Sequence, residues 1–203
     1  VLIAFKSGGT AAVAAMAQAL QVNDVLQTVA IICTTTSVEA GVALRSALER
    51  NSTLTTLRLC SNEMGSDVAP TIIRSLRLNR TLKSLSLECF AAGENSLGPT
   101  TCTAMVEVLR ENKTLRTLKL VGDLKDQAIR ALTGAVKDNK SLQTLSLTPR
   151  TIGAGCADAY EEMLAENDTL KSFTLSSMTH EADGTDDEVG RAVASGVRAS
   201  RTL

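Results

Sequence analysis

Apolar residues recur along this chain in short triplets with a constant internal spacing. One aliphatic residue is followed three positions later by a second and two positions after that by a third. The last two are two residues apart, so they point to the same side of a short strand, and their neighbours point to the other side. The pattern predicts strands with one buried face and one solvent face. The triplets are Leu26-Val29-Ile31, Leu54-Leu57-Leu59, Leu82-Leu85-Leu87, Leu115-Leu118-Leu120, Leu142-Leu145-Leu147 and Leu170-Phe173-Leu175.

A different periodicity follows the triplets. Apolar residues there are mostly three or four positions apart, which is typical of a helix with one buried stripe. An Ala-rich segment from Ala11 to Leu20 falls at the same place in the register and is predicted to be a further buried helix. The predicted stripes are Val38, Val42, Leu44 and Leu48; Val68, Ile72, Ile73 and Leu76; Met105, Val106 and Leu109; Ile129, Leu132 and Val136; and Tyr160, Met163 and Leu164.

Each triplet begins within the same short phrase, which in its commonest form reads Asn-x-Thr-Leu. Successive Asn residues, from Asn23 to Asn167, are 28, 28, 33, 27 and 28 positions apart, and a degenerate copy begins at Ser200, 33 positions after Asn167. An interval of this size accommodates one strand and one helix. The alternation predicts an α/β repeat fold.

Phrase, triplet and interval together resemble the leucine-rich repeat proteins of the ribonuclease-inhibitor-like subfamily, over essentially all 203 residues. The resemblance implies an α/β leucine-rich repeat solenoid, a right-handed horseshoe of about seven repeats of 27–33 residues, with a parallel sheet on the concave side and helices on the convex side. One departure is the third position after the last strand leucine, where the family often has Asn and only Asn62 matches. The phrase is also similar to the repeat arms of NOD-like receptors, the actin-capping tropomodulins and many protist repeat proteins. The repeat alone leaves these open.

The register also predicts how the array is bounded. Residues 1–203 are expected to form one array in which each unit contacts only its neighbours. Subtracting 28 from Val29 and Ile31 places Val1 and Ile3 in the middle of a strand, and Leu203 stands where another strand should begin. Because the ends of a solenoid need a polar cap and neither end offers one, we expect a fragment of a longer protein.

Composition narrows the functional classes. The formal net charge of −1 and the aromatic content of 2% argue against a nucleic-acid partner, which needs a basic stripe and usually stacking aromatic residues. No apolar run approaches the roughly 18 to 20 residues that cross a bilayer, so no membrane insertion is expected. Five cysteines, an odd number without a C-x-x-C pair, are typical of free thiols in a reducing, cytoplasmic setting.

The sequence contains no recognisable catalytic or metal-binding motif. His180 is the only histidine, which leaves no basis for a catalytic triad, and the cysteines do not cluster as metal ligands do. We therefore expect no cofactor, no metal and no enzymatic activity.

Five Asn residues satisfy the N-x-[ST] pattern of glycosylation: Asn51, Asn79, Asn112, Asn139 and Asn167. Each follows a predicted helix and precedes a predicted strand. Asn tolerates the left-handed conformation that ends many helices. We interpret the repetition as a structural C-terminal cap, with glycosylation as the less favoured alternative.

Two surfaces carry candidate partner-binding residues. The solvent face of the predicted sheet is rich in small hydroxyl residues and poor in the Trp, Tyr and Arg of binding hot spots, so an unspecialised solvated sheet is the alternative. The two 33-residue intervals each add about five residues between strand and helix, and both insertions should project from the same edge. The candidates are Arg58, Glu88, Lys119, Ser146 and Thr174 on the sheet, and Phe90, Glu94, Asn95, His180, Glu181 and Asp183 on the insertions.

These observations predict a non-catalytic scaffold or recognition module that binds another protein of unknown identity. Two alternatives stay open. One is a ligand-sensing regulatory repeat arm of a larger receptor-type protein. The other is a structural subunit of a large cytoskeletal or ciliary assembly.

Overall fold

Strands and helices alternate along the chain in the computed structural model, which describes residues 2–4, 9–64, 66–91, 96–178 and 185–203. Short 3₁₀ turns lie at Ser75–Arg77 and Ala154–Cys156. The strands are β1 Leu2–Ala4, β2 Thr28–Thr36, β3 Thr56–Met64, β4 Ser84–Cys89, β5 Thr117–Gly122, β6 Thr144–Pro149 and β7 Ser172–Leu175. The helices are α1 Thr10–Val22, α2 Val38–Arg50, α3 Val68–Arg74, α4 Pro99–Glu111, α5 Asp126–Asp138, α6 Ala157–Glu166 and α7 Thr185–Ala199.

The strands form one seven-stranded sheet in chain order, and every neighbouring pair is parallel. The register follows the sequence repeat: Leu57 pairs with Leu85, and the same row continues through Leu118, Leu145 and Phe173. The subtraction of 28 also holds at the first strand, where Ile3 pairs with Ile31. Consecutive helices pack against each other in the same order. The predicted α/β class and parallel sheet are confirmed.

The triplet leucines form one side of a continuous core, and the helices supply the other side. Most predicted helix stripes are buried, but Val38 and Val42 are 47% and 52% exposed, so their assignment to the core was wrong. Val42 lies two residues before the buried Leu44, roughly 200° around the helix. The inward face of α2 instead includes the small residues Ala40 and Gly41.

The repeated Asn side chains connect each repeat to the one before it. In Asn51, Nδ2 donates to the carbonyls of Leu20 and Asn23 at 2.8 and 2.9 Å. Its Oδ1 accepts from the backbone N–H groups of Thr53 and Leu54 at 3.0 and 2.7 Å. The same pattern, with donation to the preceding repeat and acceptance from the following turn, recurs at Asn79, Asn112, Asn139 and Asn167. We call these five residues the asparagine ladder.

The structural role of these residues is confirmed, but the predicted left-handed conformation is wrong. Asn51 has φ −71° and ψ 129°, which is extended backbone, and no non-glycine residue in the described ranges has a positive φ. The Asn side chain stabilises the turn by accepting hydrogen bonds from the two N–H groups that follow it, so the backbone of the Asn can stay extended. The ladder residues are at most 7% exposed, and an amide nitrogen held in this way is not accessible to a glycan.

The two insertions begin at the same edge of the sheet, because β4 ends at Cys89 and β7 at Leu175 and parallel strands end on one side. Glu94, Asn95, His180, Glu181 and Asp183 lie outside the described residues. Over the part of the chain that the structure describes, no helix combines the length and hydropathy that a membrane span needs.

Candidate functional site

Four of the five candidate residues on the sheet lie in a single row across its solvent face. Arg58 pairs in register with Ser86, and Ser86 with Lys119. Lys119 then pairs with Ser146, and Ser146 with Thr174. The alternation of side chains along each strand keeps this row on the face opposite the leucines. The sheet therefore brings together residues that are up to 116 positions apart, from Arg58 to Thr174.

The fifth candidate, Glu88, lies two residues beyond this row on β4 and is bound by residues of the row. Arg58 donates to it twice, from Nε to Oε1 at 2.9 Å and from Nη2 to Oε2 at 3.1 Å. Ser86 Oγ donates to Oε1 at 2.8 Å, and Lys119 Nζ lies 3.2 Å from the same oxygen. We call Arg58, Ser86, Glu88 and Lys119 the Glu88 network. It spans β3, β4 and β5.

The network keeps a nearly buried carboxylate ionised. Glu88 is only 4% exposed, and this burial by itself would raise its pKa. Hydrogen bonds from Arg58, Ser86 and Lys119, with the charge of Lys119, outweigh the burial and lower the pKa below its ordinary value. The hydrogen bond between Arg58 and Glu88 also raises the pKa of the Arg58 guanidinium. Glu88 thus holds two cations in fixed positions on the sheet.

Both cations remain available to a partner. The side chains of Arg58 and Lys119 are 44% and 41% exposed. A guanidinium has five N–H donors and an ammonium has three, and the bonds to Glu88 use only part of them. A surface of this kind can bind carboxylates or carbonyl oxygens.

Acidification should weaken the fold through Glu88. Because the folded pKa is lower than the unfolded one, the unfolded chain takes up the proton first. The stabilisation is complete above the unfolded pKa, near 4.3, and is lost as the pH falls through the folded pKa. We expect Glu88→Gln to cost about 1–2 kcal/mol at pH 7 and progressively less below pH 4. Urea unfolding of both proteins at several pH values measures this. An equal cost at pH 7 and pH 3 would contradict it.

Cys60 lies beside the Glu88 network and is the one half-exposed thiol among the described cysteines, all of which are free. Burial, and then the charge of Glu88, raises its pKa. Burial also raises the pKa of Cys102 to about 12 and that of Cys156 to about 11.

We expect Cys60 to react with a thiol reagent roughly tenfold faster than any other cysteine of the native protein, since reaction needs an accessible thiolate. Alkylation followed by peptide mass spectrometry measures this. Cys60→Ser should remove the fast phase, and urea should expose the remaining thiols. Equal rates at Cys60 and Cys102 in the native protein would contradict the burial of Cys102 and the partial exposure of Cys60.

The insertion edge offers one described candidate, Phe90, which is 46% exposed. Its carbonyl accepts a hydrogen bond from Arg150 Nη2 at 3.0 Å, which links the ends of β4 and β6. Further along this edge, Ser66, Ser96, Pro99 and other residues line a cleft of about 350 Å³.

Sequence reasoning missed Ser86 and Arg150. Ser86 could have been found, because the repeat alignment places it between Arg58 and Lys119. The contact of Arg150 with a backbone carbonyl has no sequence signal. Within the described residues, no group of three or more His, Cys, Asp or Glu side chains is placed to hold a metal ion.

The chain matches no protein-family model and no curated protein. Among solved structures, it is similar to the tropomodulin C-terminal domain of Caenorhabditis elegans, with a TM-score of 0.56 and 13% identity, over 80% of this chain and 95% of that one. Leiomodin-1 actin-binding site 2 matches 80% of this chain and 75% of its own, with a TM-score of 0.40 and 20% identity. The first likeness shows that the chain shares the α/β fold of the tropomodulin domain.

Proposed function

We propose that this chain is a non-catalytic protein-binding scaffold, and that it binds its partner on the solvent face of the sheet. In this proposal residues 1–203 are a single array of the ribonuclease-inhibitor-like leucine-rich repeat type, a right-handed horseshoe whose concave side is that face. Residues that pair in neighbouring strands occupy the same position of successive sequence repeats, which supports the single array. The Glu88 network is the observation that carries the function.

The network supports binding because it reduces the conformational entropy that the Arg58 and Lys119 side chains lose when a partner binds. Exposed Arg and Lys side chains lose conformational entropy when a partner fixes them, but Glu88 already holds Arg58 and Lys119 in place. Charged hydrogen bonds to a partner carboxylate would then be made with little reorganisation. Ser146 and Thr174 extend the row with hydroxyl groups that donate or accept.

The character of the surface sets the expected kind of complex. The row contains no aromatic side chain, and its core-facing neighbours on β3 to β6 are buried. We therefore propose a polar, salt-sensitive interface that determines specificity more than affinity. Free thiols that are mostly buried are compatible with the proposed cytoplasmic setting.

Affinity capture with matched variants tests this proposal. The test variant is Arg58→Ala/Lys119→Ala. The control is Arg45→Ala/Arg130→Ala, which removes two exposed, ion-paired arginines from helices α2 and α5. We expect a partner that copurifies with the wild type and with the control. Its affinity for the test variant should be at least about tenfold lower, which corresponds to about 1.4 kcal/mol of binding free energy. A partner retained equally by both variants would contradict the role of the sheet face.

The structural alternative, a subunit of a cytoskeletal or ciliary assembly, is supported by the fold shared with the tropomodulin domain. Fold alone does not establish function. Sedimentation with actin filaments tests this alternative directly: sedimentation of the wild type and of Arg58→Ala/Lys119→Ala alike would favour it over the scaffold. The receptor-arm alternative requires a phosphate-binding loop in the same gene, which sequencing beyond residues 1–203 would show.

A further inference from the structure

Positive charge is concentrated where the chain enters strands β4 to β7. We define the basic edge as residues 80–83, 113–116, 140–143 and 168–171, the four short segments that follow the last four asparagines of the ladder. They contain six cations and one anion, although the whole chain has a formal net charge of −1. The cations are Arg80, Lys83, Lys113, Arg116, Lys140 and Lys171. The two preceding turns, at 24–27 and 52–55, contain no cation.

A ladder of backbone hydrogen bonds shows that these positions are stacked. The N–H of Arg116 donates to the carbonyl of Lys83, that of Gln143 to Arg116, and that of Lys171 to Gln143, each at 2.8 Å. Neighbouring strands are about 4.8 Å apart, so the positions form a continuous line across four strands. The guanidinium of Arg116 is fixed on this line, because Nη1 donates to the carbonyls of Lys113 and Ser141 at 2.8 and 3.0 Å.

Most of this charge is not neutralised. The single anion, Asp168, pairs with Lys140 at 2.8 Å. Arg80, Lys83, Lys113 and Lys171 are exposed and form no ion pair with any residue that the structure describes.

The ends of the helices do not account for these cations. Helix C-termini favour a positive charge in their last turn. In this chain that place is already taken by Arg50 in α2, by Arg110 in α4 and by Lys137 in α5. Arg77 takes it in the 3₁₀ turn that follows α3. The cations of the basic edge lie beyond those turns. Apart from that of Lys140, which pairs with Asp168, their charge is therefore free to act on a partner.

We propose that the basic edge binds an acidic, extended segment of a partner protein. A line of cations one strand apart complements the carboxylates along such a segment, and Gln143 and the threonines of the turns add hydrogen-bonding groups. A single-stranded nucleic acid is less well matched because surfaces that bind it usually combine cations with stacking aromatic residues: Tyr160 is buried, Phe173 packs against the core and Phe90 lies at the opposite edge. Amphipathic segments that bind a membrane surface add apolar side chains beside the cations, and the leucines within the basic edge are buried.

The test uses a fluorescein-labelled peptide of twelve glutamates as the probe and measures anisotropy at low and at physiological salt. The test variant is Lys83→Glu/Lys113→Glu/Lys171→Glu. The control is Lys125→Glu/Arg191→Glu/Arg198→Glu, which makes the same change in net charge at exposed positions away from the basic edge. Circular dichroism and thermal unfolding establish that both variants fold.

We expect the wild type and the control to bind the peptide, and the test variant to bind at least about tenfold more weakly, since several exposed ion pairs are lost together. Arg58→Ala/Lys119→Ala should retain most of the peptide affinity, because Glu88 already pairs with both of those cations; this variant therefore separates the basic edge from the function proposed for the sheet face. Three results would each overturn the inference: no binding by the wild type, an equal loss in the control, or tighter binding of a twelve-residue thymidine oligonucleotide or of phosphatidylserine vesicles than of the peptide.

Discussion

Replacing Asn139 by Ala should lower the free energy of unfolding by about 3–4 kcal/mol. Its side chain is 1% exposed. Nδ2 donates to the carbonyl of Leu109 at 2.6 Å, and Oδ1 accepts from the N–H groups of Ser141 and Leu142 at 2.8 and 2.7 Å. Alanine would leave these buried groups without partners, and each unsatisfied group costs about 1–3 kcal/mol. Urea unfolding followed by circular dichroism measures the loss, which is a large fraction of a typical total stability.

Asn23 provides the matched control, because it occupies the same position of the same phrase. Its Oδ1 accepts from the N–H groups of Val25 and Leu26, but its Nδ2 donates to no described residue. Asn23→Ala should therefore cost only about 1 kcal/mol. Equal losses in the two variants would show that the bonds to the preceding repeat contribute little.

Leu118→Ala and Lys119→Ala should have opposite consequences although the two residues are adjacent. Leu118 is fully buried in the core, so the truncation should lower the free energy of unfolding by about 2–5 kcal/mol through lost burial and a cavity. Lys119 is 41% exposed on the other face, and its removal should cost less than about 1 kcal/mol. Urea unfolding of the two variants, side by side, measures the difference.

Binding should show the reverse order. When both variants are folded, Leu118→Ala should bind the sheet-face partner as the wild type does. Lys119→Ala should bind that partner more weakly, because a positioned cation is lost. If Lys119→Ala proved as destabilising as Leu118→Ala, the assignment of one buried and one exposed face to β5 would be wrong.

Much of the fold could be predicted because its information is local and repeated. The triplet spacing located the strands, and the intervals between Asn residues predicted the strand register, including the 33-residue step from Leu85 to Leu118. Parallel stacking of equal units aligns equal positions, so a count along the chain becomes a contact in space.

Other features could not be read from the chain. The hydrophobicity of Val38 and Val42 suggested burial, but the face of α2 that packs inward is chosen by the neighbouring helices, where Gly41 allows close approach to Val68. The exposed cations of the basic edge had no effect on the net charge of the chain, because acidic residues elsewhere balance them. Only the stacking of four turns brought them together.

The sequence by itself determined the alternation of strand and helix, the order of the strands and the row to which each solvent-facing residue belongs, because these follow from periodicity. The tertiary structure alone decided what the side chains do in those rows. It directed the asparagine amides to carbonyls of the preceding repeat, and it placed Glu88 among one donor of its own strand and two donors of the adjacent strands. Such contacts depend on side-chain reach and burial between neighbouring repeats, and neither quantity is written in the spacing of residues along one chain.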